Sequence, residues 1–141
     1  MRVLFILILL LSLAHSATGG NVSVIAHPDV PIDTVTRAQL LDFYTRDIVR
    51  FDTGGDVTIF DLKPKDGTRK AFYGYLGKSS SRMKSIWMKR LLSGEGDPPE
   101  AFPTEDDMLD AVMSTPGSMG FIASERVNDS VKVLLVIEDD E

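Results

Sequence analysis

Cysteine is absent from the 141 residues, which hold only two histidines and one tryptophan. A chain without thiols forms no disulfide, ligates no zinc through sulfur, offers no thiolate nucleophile and carries no N-terminal lipid on cysteine. A spanning helix needs roughly 20 apolar residues in a row, and the longest such run, Val3 to Leu13, falls well short of that. There is no internal repeat, and no low-complexity segment follows the N-terminal run. Of the two histidines, His15 lies in the N-terminal run and His27 sits beside Pro28, where it reads as a loop residue and not as a base. No nucleophile or metal-ligand cluster accompanies it. Asp61 and Asp66 are the one carboxylate pair that acid–base work would draw on, and nothing stands beside them to complete a site. The chain therefore reads as a non-enzyme with no cofactor, and an extracytoplasmic hydrolase ranks last among its readings.

The first residues look like a targeting signal. Arg2 gives a short positive start, Val3 to Leu13 is nearly all aliphatic, and Ala14-His15-Ser16 supplies small residues at a cleavage site. Residues 1–16 are thus expected to be a signal peptide and residues 17–141 a single domain, periplasmic or secreted, with no membrane segment after cleavage. That length supports one modest core.

The net charge is −6, but it is unevenly spread. Lys63 to Arg90 holds nine basic residues (Lys63, Lys65, Arg69, Lys70, Lys78, Arg82, Lys84, Lys89, Arg90) against Asp66 alone. Residues 91–141 hold thirteen acids and two bases. A basic patch on an acidic body follows, and a nucleic-acid partner is excluded because the rest of the surface would repel phosphate backbones.

Apolar periodicity and turn signals divide the domain. Val22 to Ala26 is a strand, and His27 to Pro31 a loop. Thr36 caps a helix carrying Leu40, Leu41, Phe43 and Tyr44. Asp52 to Asp56 is a turn, and Val57 to Leu62 a strand. Asp66 precedes a helix with Phe72, Tyr73, Tyr75 and Leu76 on it, closed by Gly77. A serine among Ser79 to Ser81 opens the next helix, whose apolar stripe is Met83, Ile86, Trp87 and Leu91; Trp87 reads as core and not as a stacking platform. Gly94 to Pro103 reads as loop. Thr104 caps a helix buried through Met108, Leu109, Val112 and Met113, and the acids Glu105, Asp106 and Asp107 suit its dipole without a metal. Met119 to Ala123 and Val131 to Ile137 are strands. Strands alternating with helices give an α/β layered domain.

Asp66-Gly67-Thr68-Arg69 is the candidate binding site. A helix start offers free N–H groups, Gly67 permits close approach, Thr68 adds a hydroxyl and Arg69 a guanidinium fork, which together suit an oxyanion. The same residues also read as ordinary capping, with the Asp66 carboxylate taking the helix's own N–H groups. Gly77-Lys78-Ser79 echoes the end of a phosphate-binding loop, but Phe72 stands where that motif needs glycine.

Taken in order, several segments resemble the small, single-domain relatives of the phosphate-binding substrate-binding proteins of ABC transporters, the PstS-like group. They are Val24-Ile25-Ala26-His27-Pro28; Thr36 to Tyr44; Asp66 to Phe72; Lys84 to Lys89 around Trp87; Gly94 to Pro99; and Thr115 to Phe121. The resemblance implies a single lobe of a type 2 periplasmic-binding-protein fold, a mixed sheet flanked by helices. It also implies an oxyanion site in which Gly67 and Thr68 match the family's Gly-Thr, Asp66 stands at the family's serine, Arg69 matches the arginine of the smaller relatives, and Leu62 falls where an upstream arginine would be. The function so implied is reversible binding of phosphate or a similar oxyanion, with an ABC transporter permease or another envelope protein as partner. The alternative is a ligand-free module of the envelope that docks an acidic protein or anionic surface through its basic patch.

Overall fold

The computed structural model describes residues 20–139; the expected signal peptide lies outside them. Five strands form one mixed sheet in the order β3-β2-β4-β1-β5. They are β1 (Val22–Ala26), β2 (Thr58–Leu62), β3 (Glu100–Phe102), β4 (Ser118–Ala123) and β5 (Lys132–Ile137). The helices are α1 (Arg37–Thr45), α2 (Gly67–Leu76), α3 (Ser80–Leu92) and α4 (Glu105–Ser114). β2 runs parallel to β3 and β4, while β1 is antiparallel to β4 and β5. The mixed sheet with flanking helices is the architecture that the family resemblance implied.

Local chemistry accounts for most element boundaries. Thr36 and Gln39 form a full capping box on α1, and Ser79 and Thr104 cap α3 and α4 with their hydroxyls. Gly77 ends α2 with φ 73°, a left-handed turn that favours glycine.

The core lies where α1, α2 and α4 cover the sheet. Phe72 of α2 stacks on Phe121 of β4 at 3.9 Å between ring centroids, and Tyr44 and Tyr73 pack edge-on around them. Gly120 lets α4 press onto β4, since a Cβ there would run into Met108 Sδ. Trp87 is buried, and its indole N–H donates to the Tyr44 carbonyl at 2.8 Å.

Two expectations need correction. The loop expected over 94–103 contains β3, paired in parallel with β2 through Phe60↔Glu100 and Leu62↔Phe102. Prolines 98, 99 and 103 flank it, which a three-residue strand on the sheet edge tolerates because its outer N–H groups need no partner. Leu91, expected on the buried stripe of α3, is 39% exposed, because α3 meets the core through Met83 and Trp87 and its last turn runs past it.

Candidate functional site

The parallel strands decide where a site can form. The carboxyl ends of β2, β3 and β4 lie at one end of the sheet, where the chain enters α2 and α4 and, after β4, a single 3-10 turn at Ser124–Arg126. Ligands of open α/β sheets sit beyond these carboxyl ends. Here there is an open crevice of about 780 Å³, lined by the starts of β1 and α2, by Glu105 of α4 and by Ala123 to Arg126.

Asp66, Gly67 and Thr68 line this crevice; Arg69 does not. The Asp66 carboxylate turns onto its own helix, and its Oδ1 accepts the N–H groups of Thr68 at 2.8 Å and Arg69 at 3.2 Å. These are the N–H groups that an anion at this helix start would otherwise take.

Arg69 points the other way, into the protein. Its Nη2 lies 3.2 Å from Asp61 Oδ2, and its Nε donates to the same carboxylate at 3.3 and 3.4 Å. Nη1 donates to Ser80 Oγ at 2.6 Å, and the guanidinium lies over the Tyr73 ring at 4.8 Å. Both members of the pair are buried. Burial raises the Asp61 pKa above its usual value against the opposing pull of Arg69. Burial, and then the Asp61 charge, likewise raise that of the Tyr73 phenol. The Tyr73 hydroxyl is buried without a hydrogen-bond partner.

The rest of the crevice is acidic. Asp66, Glu105, Glu125 and Asp139 line it against one base, Arg126. Arg126 is already engaged, with Nη1 3.0 Å from Asp106 Oδ1 and Nε 3.6 Å from Glu105 Oε2. Glu105 also accepts the Ala123 N–H, tying α4 to the end of β4.

The basic stretch does not converge on the crevice. Lys78, Arg82, Lys89 and Arg90 line a separate groove between α1 and α3. Sequence reasoning placed Asp66 to Arg69 at a helix start but missed the Asp61–Arg69 pair, Ser80 as a third partner and Arg126. A carboxylate in an otherwise apolar strand, eight residues before a helical arginine, was the available sign of the pair. Nothing local marked Arg126.

A crevice at the carboxyl ends of the strands, with a helix start at its wall, is where open α/β sheets take ligands. No protein-family model and no curated protein matches the chain. Solved structures do match in fold. One, from Clostridium perfringens, is described as a phosphate ABC transporter substrate-binding protein with bound phosphate; it is 20% identical, with a TM-score of 0.67 over 82% of this chain and 45% of that one. An ABC-type phosphate transport receptor from Vibrio cholerae is 19% identical with a TM-score of 0.66, over 82% and 45%. PstS from Borrelia burgdorferi is 11% identical with a TM-score of 0.63, over 82% and 47%. The chain has the fold of a PstS-like periplasmic-binding-protein lobe and spans just under half the length of these structures.

Proposed function

We propose that the chain is a substrate-binding-protein-type lobe of the cell envelope that works by reversible, non-covalent contact, and that it serves as an interaction module and not as a receptor for free phosphate. The observation that carries this reading is the Asp66 carboxylate seated on the α2 N–H groups. A phosphate entering there would face a fixed negative charge. At about 4 Å and an effective dielectric near 20, each pair of unit charges costs roughly 4 kcal/mol. A hydrogen bond to a charged group returns roughly 1.5–3 kcal/mol. Arg69, the arginine of this helix start, is spent on Asp61. Partners of this module would be a transporter permease or another envelope component.

A second reading is weak oxyanion binding through the Gly67 N–H and the Thr68 hydroxyl. It is favoured by the position of both residues in the crevice and by the phosphate bound in the Clostridium perfringens structure, which shares the fold. Calorimetric titration with phosphate separates the two readings. The module reading expects no heat at millimolar phosphate for the wild type. Heat that disappears in Thr68→Ala would overturn it and establish the oxyanion site.

A further inference from the structure

The six exposed large hydrophobic residues among those described are Val49, Met88, Leu91, Leu92, Val133 and Val136. Three of them fall within five positions at the end of α3, where Met88 is 40%, Leu91 39% and Leu92 83% exposed. At 3.6 residues per turn, Lys84, Met88 and Leu91 follow one another along one flank of the helix, with Leu92 beside them on its outward side. Arg82 and Lys89 are exposed on the other side of the helix, where they also rim the groove shared with α1. None of Arg82, Lys84 and Lys89 has an ion-pair partner among the described residues, and α3 contains no acid at all.

The body holds this helix firmly. Met83 and Trp87 are buried, and the Trp87 indole is bonded to Tyr44. Arg90 is bracketed by Asp47 and by Glu95, the latter at 2.9 Å. The apolar ridge is therefore not a core face awaiting a shift of α3. The acids near this helix are Asp47 and Glu95, which Arg90 engages, Asp42 across the groove from Arg82 and Lys89, and Asp97 in the following loop.

We propose that the outward face of α3 is a docking surface for an anionic lipid bilayer, with Met88, Leu91 and Leu92 entering the acyl boundary and Arg82, Lys84 and Lys89 contacting headgroups. The inference rests on the interaction-module reading and names its surface and partner. Apolar side chains that project from a helix end, ringed by lysines whose stems can lie along an apolar phase while their charges stay in water, suit an interface that demands no shape complementarity. An acidic protein would instead seat in the basic groove between α1 and α3, which Met88, Leu91 and Leu92 do not line. The overall charge of −6 sets the orientation, because the acidic remainder is repelled by the same surface that attracts α3.

The absence of cysteine makes the test site-specific. An environment-sensitive fluorophore is attached to Leu92→Cys in the full chain and, as a control, to Glu125→Cys at the crevice. Each is mixed with vesicles of phosphatidylglycerol and phosphatidylcholine, with vesicles of phosphatidylcholine alone, and with soluble polyglutamate. The proposal expects a blue shift and a rise of about threefold at residue 92 with the anionic vesicles only, and no change at residue 125. Adding Lys84→Glu and Lys89→Glu should weaken that binding by roughly tenfold or more. Equal responses at both positions would mean attachment through another segment and would overturn the proposal. A response at residue 92 to polyglutamate but not to vesicles would overturn it in favour of an acidic protein, leaving the module reading standing. Silence from every probe would overturn it as well. Heat with phosphate that is lost in Thr68→Ala, alongside that silence, would show the module reading itself to be at fault.

Discussion

Asp61 and Arg69 face each other in the interior between β2 and α2, with Nη2 and Oδ2 3.2 Å apart and both side chains buried. Ser80 of α3 takes a third guanidinium donor, so one arginine links a strand and two helices. A buried pair gains little over an apolar pair of the same shape, but an orphaned member is costly. Arg69→Leu and Asp61→Leu should each lose about 3–5 kcal/mol. The double variant should lose less than the sum, as measured by urea denaturation in a double-mutant cycle.

The same pair sets one limb of the pH profile. The folded pKa of Asp61 is raised from 3.8, chiefly by burial. The folded state then holds this proton more tightly than the unfolded chain. The associated stability is fully present below pH 3.8 and declines as pH rises through the folded pKa. A carboxyl carbon titration by NMR should place the Asp61 midpoint above 3.8.

Asp29 works in the opposite sense. Its Oδ1 accepts the Gly117 N–H at 2.9 Å and contacts His27 Nδ1 at 2.8 Å. The Gly117 bond is the main cause of a pKa lowered from 3.8. Its contribution is present above pH 3.8 and is lost as pH falls through the folded value. Asp29→Asn should lower stability at neutral pH and flatten the loss below pH 3.8, so that variant and wild type converge as the pH falls, as followed by thermal melts across pH.

Asp66→Ala should lower stability by about 1 kcal/mol, the usual cost of losing a helix cap. Asp66→Ser should keep the cap and remove the charge. If the carboxylate is what excludes an anion from the α2 start, calorimetry should detect phosphate in Asp66→Ser and none in the wild type.

Gly120→Ala should cost about 1–3 kcal/mol by forcing α4 off β4. The new Cβ would run into Met108 Sδ. Adding Met108→Ala should relieve that clash, so the double variant should lose less in chemical denaturation than the two single changes summed.

Most elements were legible because their signals are local. Thr36, Ser79 and Thr104 cap their helices whatever lies beyond them, Gly77 ends α2, and the β-branched runs at 22–26 and 132–137 form strands. β3 was not legible, since three residues among prolines become a strand only when β2 lies alongside to pair with them. Leu91 was misplaced because periodicity marks a helix face but not where the neighbouring core stops.

The sequence by itself determined an α/β layered domain, the helix start at Asp66 to Arg69 and the imbalance between a basic centre and acidic flanks. Those follow from hydrophobic period, capping chemistry and composition, which act over a few residues. Only the tertiary structure decided that Arg69 turns inward to Asp61, that Asp66 seats itself on its own helix within an acidic crevice, and that the bases of α3 lie on a separate surface. Each of these depends on which side chains the sheet brings together across tens of residues, and burial then fixes whether a charge is spent internally or offered to a partner.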